Sequence, residues 1–267
     1  MPTPDPTRRF SDRADDYLRH RPHYPAVLLE FLHAELGLRP SHVIADIGSG
    51  TGFLAEVFLA AGHRVYGVEP NDAMRVAGEH YLARYPNFTS IAARAEATSL
   101  LAATADFVVA GQAFHWFDPE PTRREFFRIL KPDGWVALVR NELRSDDSAF
   151  MRGYRELSHR FRTDDRGSQL RRSISEFHDP VMTRFFAPSP YFRKIAARHA
   201  DELDFAQALG RMLSFSSIPL PGEPNHDVMV RELRKLFDEH QQNGRVRFEY
   251  EVEVVYGRLT EAPPAPS

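Results

Sequence analysis

Apolar positions along the chain switch repeatedly between a spacing of three to four residues and short continuous or alternating runs, a pattern that predicts helices interleaved with strands. Phe10, Ala14, Tyr17 and Leu18 predict a short helix that stops at Arg21-Pro22, and Val27, Leu28, Phe31 and Leu32 predict a second that ends at Gly37. Val43–Ile47 is an apolar run that breaks into Gly48, Gly50 and Gly52. Phe53, Leu54, Val57, Phe58 and Ala61 then form a helical stripe terminated by Gly62, and Arg64–Val68 follows as a second strand. Met74, Ala77, Tyr81, Leu82 and Tyr85 mark a helix for which Asn71 and Asp72 are favourable caps. Phe88–Ile91 is a weak third strand and Asp106–Ala110 a fully buried fourth. A helix over Arg123–Leu130 turns at Lys131-Pro132-Asp133-Gly134 into a fifth strand, Trp135–Val139.

Beyond Asn141 the pattern becomes charged. It carries two aromatic-rich helical pieces, Phe150/Met151/Tyr154/Leu157/Phe161 and Phe177/Val181/Met182/Phe185/Phe186. A strand near Tyr191–Ala197, a helix holding Leu203, Ala206, Leu209, Met212 and Leu213, a proline-rich loop and a helix holding Met229, Leu233, Leu236 and Phe237 come next. Val246, Phe248, Tyr250, Val252, Val254 and Tyr256 alternate with mostly charged neighbours, which predicts an antiparallel strand with one exposed face.

The glycine turn offers backbone N–H groups and a helix N-terminus to a ligand, with no Cβ to block close approach, and suits an adenosine-type molecule. Glu69, at the end of the second strand, is placed to accept ribose hydroxyl protons. Phe53 stands where the dinucleotide fingerprint requires its third glycine, which disfavours nicotinamide cofactors.

Asp46 before the glycines, the Gly48/Gly50/Gly52 spacing and Glu69 together resemble the class I S-adenosylmethionine-dependent methyltransferases. The leader residues Phe10, Ala14, Tyr17 and Arg21-Pro22-His23-Tyr24-Pro25, with the segment Gln112 to Asp118 containing His115-Trp116-Phe117-Asp118, are similar to a small-molecule subfamily that includes trans-aconitate methyltransferase-like enzymes. The resemblance implies a Rossmann-like α/β fold: a mostly parallel seven-stranded sheet with helices on both faces, an antiparallel C-terminal strand and a helical cap insertion. It implies a leader or lid over residues 1–40, a cofactor-binding core over 41–140, a substrate cap over 141–190, the rest of the core sheet over 191–260 and a disordered tail over 261–267. S-adenosylmethionine is the implied cofactor, held by Tyr17, Arg21, Asp46, Gly48, Ser49, Gly50, Gly52, Glu69, Pro70, Asn71, Met74, Ala95, Glu96, Gln112 and Ala113. Phe114, Trp116, Asn141 and Tyr154 are the expected acceptor-lining residues, and His115 is the candidate base or orienter.

Composition narrows the acceptor. A net charge of -3 gives no basic field for a phosphate backbone, so no nucleic-acid partner is expected. The chain has no cysteine, which excludes thiolate metal sites and cysteine nucleophiles, and no carboxylate cluster with oxygen-ligand spacing points to a metal. No apolar run approaches the ~20 residues of a membrane span, so a soluble cytoplasmic protein is expected. The expected activity is methyl transfer to an O, N or C nucleophile of a small molecule, achieved mainly by in-line positioning. A cofactor-cleaving cyclase or lyase on the same fold, and a catalytically silent binding protein, are the alternatives.

Overall fold

A computed structural model describes residues 20–144, 148–163, 179–215 and 217–261. Its elements are α1 (Val27–Leu36), β1 (Val43–Ile47), α2 (Phe53–Ala60), β2 (Arg64–Val68), α3 (Asp72–Tyr81), β3 (Phe88–Ile91), β4 (Ala105–Gly111), α4 (Pro119–Ile129) and β5 (Leu130–Leu143). They continue with α5 (Ala149–Arg160), α6 (Asp179–Phe186), β6 (Tyr191–Leu203), α7 (Phe205–Leu213), α8 (His226–His240) and β7 (Val246–Gly257).

The strands form one seven-stranded sheet in the order β3-β2-β1-β4-β5-β7-β6. β1 to β5 pair in parallel, and β7 runs antiparallel to both β5 and β6. The fold is thus the Rossmann-like sheet that the sequence resemblance implies. Strand order reverses between β1 and β4, which leaves a crevice at their carboxyl ends, the place where ligands bind in such sheets.

Period-two alternation decides which residues face which layer. Ile44, Val65, Phe107, Val109, Ala137 and Val139 point to one side, where α1 and α2 supply Leu28, Leu32, Leu54 and Phe58. Ala45, Ile47, Val68, Val108, Ala110, Val136 and Leu138 point to the other, against Phe126 and Ile129 of α4 and Phe185 and Phe186 of α6. A third core lies away from the parallel strands: α5, α7 and α8 pack Phe150, Tyr154, Met212, Leu233 and Phe237 on the outer parts of β6 and β7.

Several boundaries differ from the periodicity. β6 continues to Leu203, which is a buried strand residue rather than the start of a helix; Asp204 then caps α7 with a capping box to Gln207. β5 is longer at both ends, from Leu130 to Leu143, and includes Asn141. The predicted turn survives inside it as a register shift, Ala105 of β4 pairing with Leu130 and Phe107 with Trp135, and Asp133, between Leu130 and Trp135, has φ +67°. α4 begins four residues early, because Pro119 suits the first helical position after Asp118. Among the described residues, no helix is long and apolar enough to cross a membrane.

Candidate functional site

A cleft at the carboxyl ends of β1, β2 and β4 is lined by Gly48, Gly50, Glu69, Pro70, Asn71, Met74, Arg94, Ala95, Glu96, Gly111, Gln112, Ala113, Trp116 and Phe117. Most of the predicted cofactor-binding residues therefore meet in one place.

The glycine loop is built from within. Gly48 and Gly50 have φ of +67° and +54°, and Gly52, at +90°, caps α2. A Cβ on Gly48 would lie 2.6 Å from the Cβ of Ala113, so the loop and the segment after β4 touch only because the side chain is missing. One expectation is corrected here. The Gly48 and Ser49 amides both donate to the carbonyl of Val68, the Gly52 amide to that of Ser49, and the Gly50 amide to Glu69 Oε2 at 2.9 Å. These N–H groups hold the loop's shape rather than stand free for a ligand.

Glu69 receives the Gly50 amide on one oxygen and the Asn71 amide on the other, at 2.8 Å. Each oxygen keeps lone-pair capacity for a further donor. Burial pushes its carboxyl up, and the amides of Asn71 and Gly50 oppose that shift. Asn71 turns its Oδ1 to the Met74 amide, 3.0 Å away, and so caps α3 beside the cleft.

Asp46 sits beneath the loop, 1% exposed, with no well-formed hydrogen bond to either carboxylate oxygen among the described residues and only a looser approach by the Ala55 backbone amide. Burial raises its pKa to about 7; the Ala55 backbone amide opposes this and the nearby negative charge of Glu69 adds to it. A buried carboxylate with so little hydrogen bonding, next to a glycine cradle, is a fitting environment for a ligand that carries positive charge and N–H donors.

The wall after β4 is a single 3₁₀ turn, Phe114–Trp116, entered through Gln112 at φ +54°. Trp116 and Phe117 line the cleft, and Phe117 also lies against Gly48. Phe114 turns away into the core, edge-on to Phe185 at 4.8 Å between ring centroids. His115 is absent from the lining, and its ring packs on Trp116. The structure thus gives His115 and Phe114 no seat in the cleft.

Three other predicted residues lie elsewhere. Tyr154 is fully buried in the third core, edge-on to Phe248 at 4.8 Å, with its hydroxyl toward the Ala208 carbonyl. Its helical spacing showed a buried face but not what that face meets. Arg21 lies over the Phe215 ring and donates to the Ser214 carbonyl at 3.0 Å, outside the lining. Asn141 is buried and binds His23 and His199 instead of facing the cleft. Tyr17 falls outside the described residues. Ser49 is in the loop without lining the cleft.

Arg94, Gly111 and Phe117 line the cleft without having been singled out as site residues. Gly111 and Phe117 flank segments that were, and their position at the carboxyl end of the buried fourth strand is the signal that finds them. Arg94 directly precedes Ala95 and Glu96, which were singled out, in the loop after the third strand.

Residues 45–138 match the family model described as "Methyltransferase domain". An uncharacterized methyltransferase of Schizosaccharomyces pombe is 30% identical over 141 residues, covering 50% of this chain and 53% of that protein. An uncharacterized methyltransferase of Mycobacterium tuberculosis is 28% identical over 187 residues, covering 70% and 67%. The alignments thus span between about half and two thirds of these relatives. A structure from Anaeromyxobacter dehalogenans assigned to the type II methyltransferases superposes with a TM-score of 0.65 at 23% identity, covering 89% of this chain and 97% of that one. A structure assigned as a methyltransferase of an antibiotic biosynthesis pathway in Anabaena variabilis superposes at 0.57 with 18% identity, covering 87% and 96%. Residues 45–138, which carry the glycine cradle, Glu69 and the buried Asp46, are thus similar to a methyltransferase domain, with S-adenosylmethionine as the cofactor.

Proposed function

We propose that the protein transfers the methyl group of S-adenosylmethionine to an O, N or C nucleophile of a small-molecule acceptor. The carrying observation is Glu69, fixed by two backbone amides at the rim of a cleft whose floor is the glycine loop. Bound S-adenosylmethionine supplies a methyl group activated by the adjoining sulfonium. Glu69 takes the ribose hydroxyls on its remaining lone pairs, and the buried Asp46 offers negative charge to the cationic end of the ligand. Asn71, Met74, Ala95 and Glu96 form the adenosine side; Gly111, Gln112, Ala113, Trp116 and Phe117 form the opposite wall, toward the acceptor.

Positioning carries the reaction on this reading. Aligning two bound reactants is worth roughly 7–11 kcal/mol, and among the described residues the acceptor wall contains no titrating base. The uncharged wall, with Trp116 and Phe117, and the net charge of -3 support a small-molecule acceptor over a nucleic acid. The segment His115-Trp116-Phe117-Asp118 supports placement with the trans-aconitate methyltransferase-like enzymes.

Calorimetry with S-adenosylmethionine, S-adenosylhomocysteine and a nicotinamide dinucleotide tests the reading. Binding of the first two, and none of the third, is expected. Transfer of label from methyl-labelled S-adenosylmethionine to a small-molecule extract, but not to nucleic acid, is the accompanying result; the reverse overturns the acceptor class.

A further inference from the structure

Asn141 joins three elements that sequence places far apart. It lies near the end of β5, 8% exposed. Its backbone carbonyl accepts from Gln112 Nε2 at 2.8 Å, its Nδ2 donates to the backbone carbonyl of His23 at 3.2 Å, and its Oδ1 meets His199 Nε2 of β6 at 3.0 Å.

The chemistry of these partners fixes the geometry. A backbone carbonyl only accepts, so the amide nitrogen of Asn141 must face His23 and its oxygen must face His199. His199 therefore carries its proton on Nε2. Its ring is stacked on Tyr250 at 5.0 Å, which holds the donor in place. Burial lowers the His199 pKa, with Asp201 opposing and Arg211 adding to the shift.

What Asn141 holds in turn is the far wall of the cleft. Gln112 lines that cleft on a backbone at φ +54°, a conformation that a non-glycine residue keeps only when its surroundings enforce it. Next to His23, Tyr24 reaches the same wall: a Cβ on Gly111 would stand 2.7 Å from the Tyr24 hydroxyl, so the phenol occupies the space that Gly111 leaves open. His23 itself is seated by its ring on Phe53, 4.3 Å between centroids, at the start of α2.

We propose that Asn141 is a positioning residue: oriented by His199, it sets Gln112 on the acceptor-side wall of the S-adenosylmethionine cleft and Tyr24 behind that wall, against Gly111. The inference rests on the methyltransferase reading for what the cleft binds, and on geometry alone for what Asn141 holds. Asn141 acts through its neighbours and touches no reacting atom.

The test uses the full chain with S-adenosylhomocysteine as the probe. Asn141→Asp is isosteric but puts an acceptor opposite the His23 carbonyl. It is expected to weaken S-adenosylhomocysteine binding about tenfold, the scale of one lost buried hydrogen bond. It should also speed amide exchange over residues 22–26 and change the emission response of Trp116 to the ligand, read in a Trp135→Phe background, with the melting temperature lowered by only a few degrees. Tyr24→Phe should reproduce the Trp116 change without the faster exchange, because the tether to His23 is intact. Should Asn141→Asp fold poorly, His199→Phe keeps the stack on Tyr250, removes the Nε2 donor and is expected to give the same exchange signature. Wild-type exchange and affinity in Asn141→Asp, or in His199→Phe if that variant is the one measured, overturns the inference. If the wild-type protein binds no S-adenosylhomocysteine, the methyltransferase reading falls while faster exchange over 22–26 still reports the tether.

Discussion

Glu69 and His115 are the residues where charge and position disagree most usefully. Glu69→Ala leaves the amides of Gly50 and Asn71 without acceptors and removes the charge-assisted hydrogen bonds proposed for the ribose. About 1.5–3 kcal/mol, or roughly 10- to 100-fold in S-adenosylmethionine affinity, is the expected loss by calorimetry. Unaltered affinity in a folded variant refutes the role of Glu69. His115 is the only imidazole in the segment after β4, and from sequence that was reason enough to consider it as a base. Its ring packs on Trp116 outside the cleft, so His115→Gln should keep the saturating rate of methyl transfer across pH. A fall of ~10²-fold or more, the usual contribution of a general base, would show that His115 reaches the acceptor after all. Glu69 was legible in the sequence because a strand end fixes where a carboxylate must point. A one-turn 3₁₀ segment has no such rule, since adjacent residues diverge and either can face the ligand.

At the scale of elements, a helix stripe announces that a face is buried but not what covers it. Phe150, Met151, Tyr154 and Leu157 fit an aromatic-lined acceptor cavity as well as they fit a core; they belong to a core that α5 shares with α7, α8 and the far ends of β6 and β7. That core joins segments on both sides of β6, and pairing so distant in sequence leaves no local trace. The strand-helix alternation through β5, by contrast, was readable almost throughout, because the central parallel strands β1 and β4 are buried on both faces and the crossover helices show one apolar stripe. Two substitutions separate core from cavity. Tyr154→Phe deletes a hydroxyl whose contact with Ala208 is long, 3.4 Å, and should change stability little. Tyr154→Ala empties a fully buried site and should cost about 3–5 kcal/mol in denaturant unfolding while leaving S-adenosylmethionine affinity unchanged in the folded fraction. Loss of cofactor affinity in step with stability would return Tyr154 to the site.

Across the whole molecule, the buried carboxyl of Asp46 sets a pH dependence. Its pKa rises from 3.8 to about 7 on folding, so between those values the native state retains a proton that the unfolded chain gives up. Stability without ligand should therefore fall as pH rises through that window and level off above it, by an amount on the order of several kcal/mol. The raised carboxyl of Glu69 acts in the same direction. Asp46→Asn should flatten the slope and raise the melting temperature at pH 8, at the expense of S-adenosylmethionine affinity; an unchanged melting profile sinks this account of Asp46. The glycine loop has the opposite character. With the amides of Gly48, Ser49, Gly50 and Gly52 already spent on Val68, Glu69 and Ser49, its conformation is held from within the chain and is expected to change little on occupancy. The loop is a fixed template, so a neighbouring protein or an acceptor cannot sense through it whether the cleft is loaded. Any such message has to travel by the opposite wall, where Gln112 and Tyr24 depend on contacts reaching from β5 and the chain before α1.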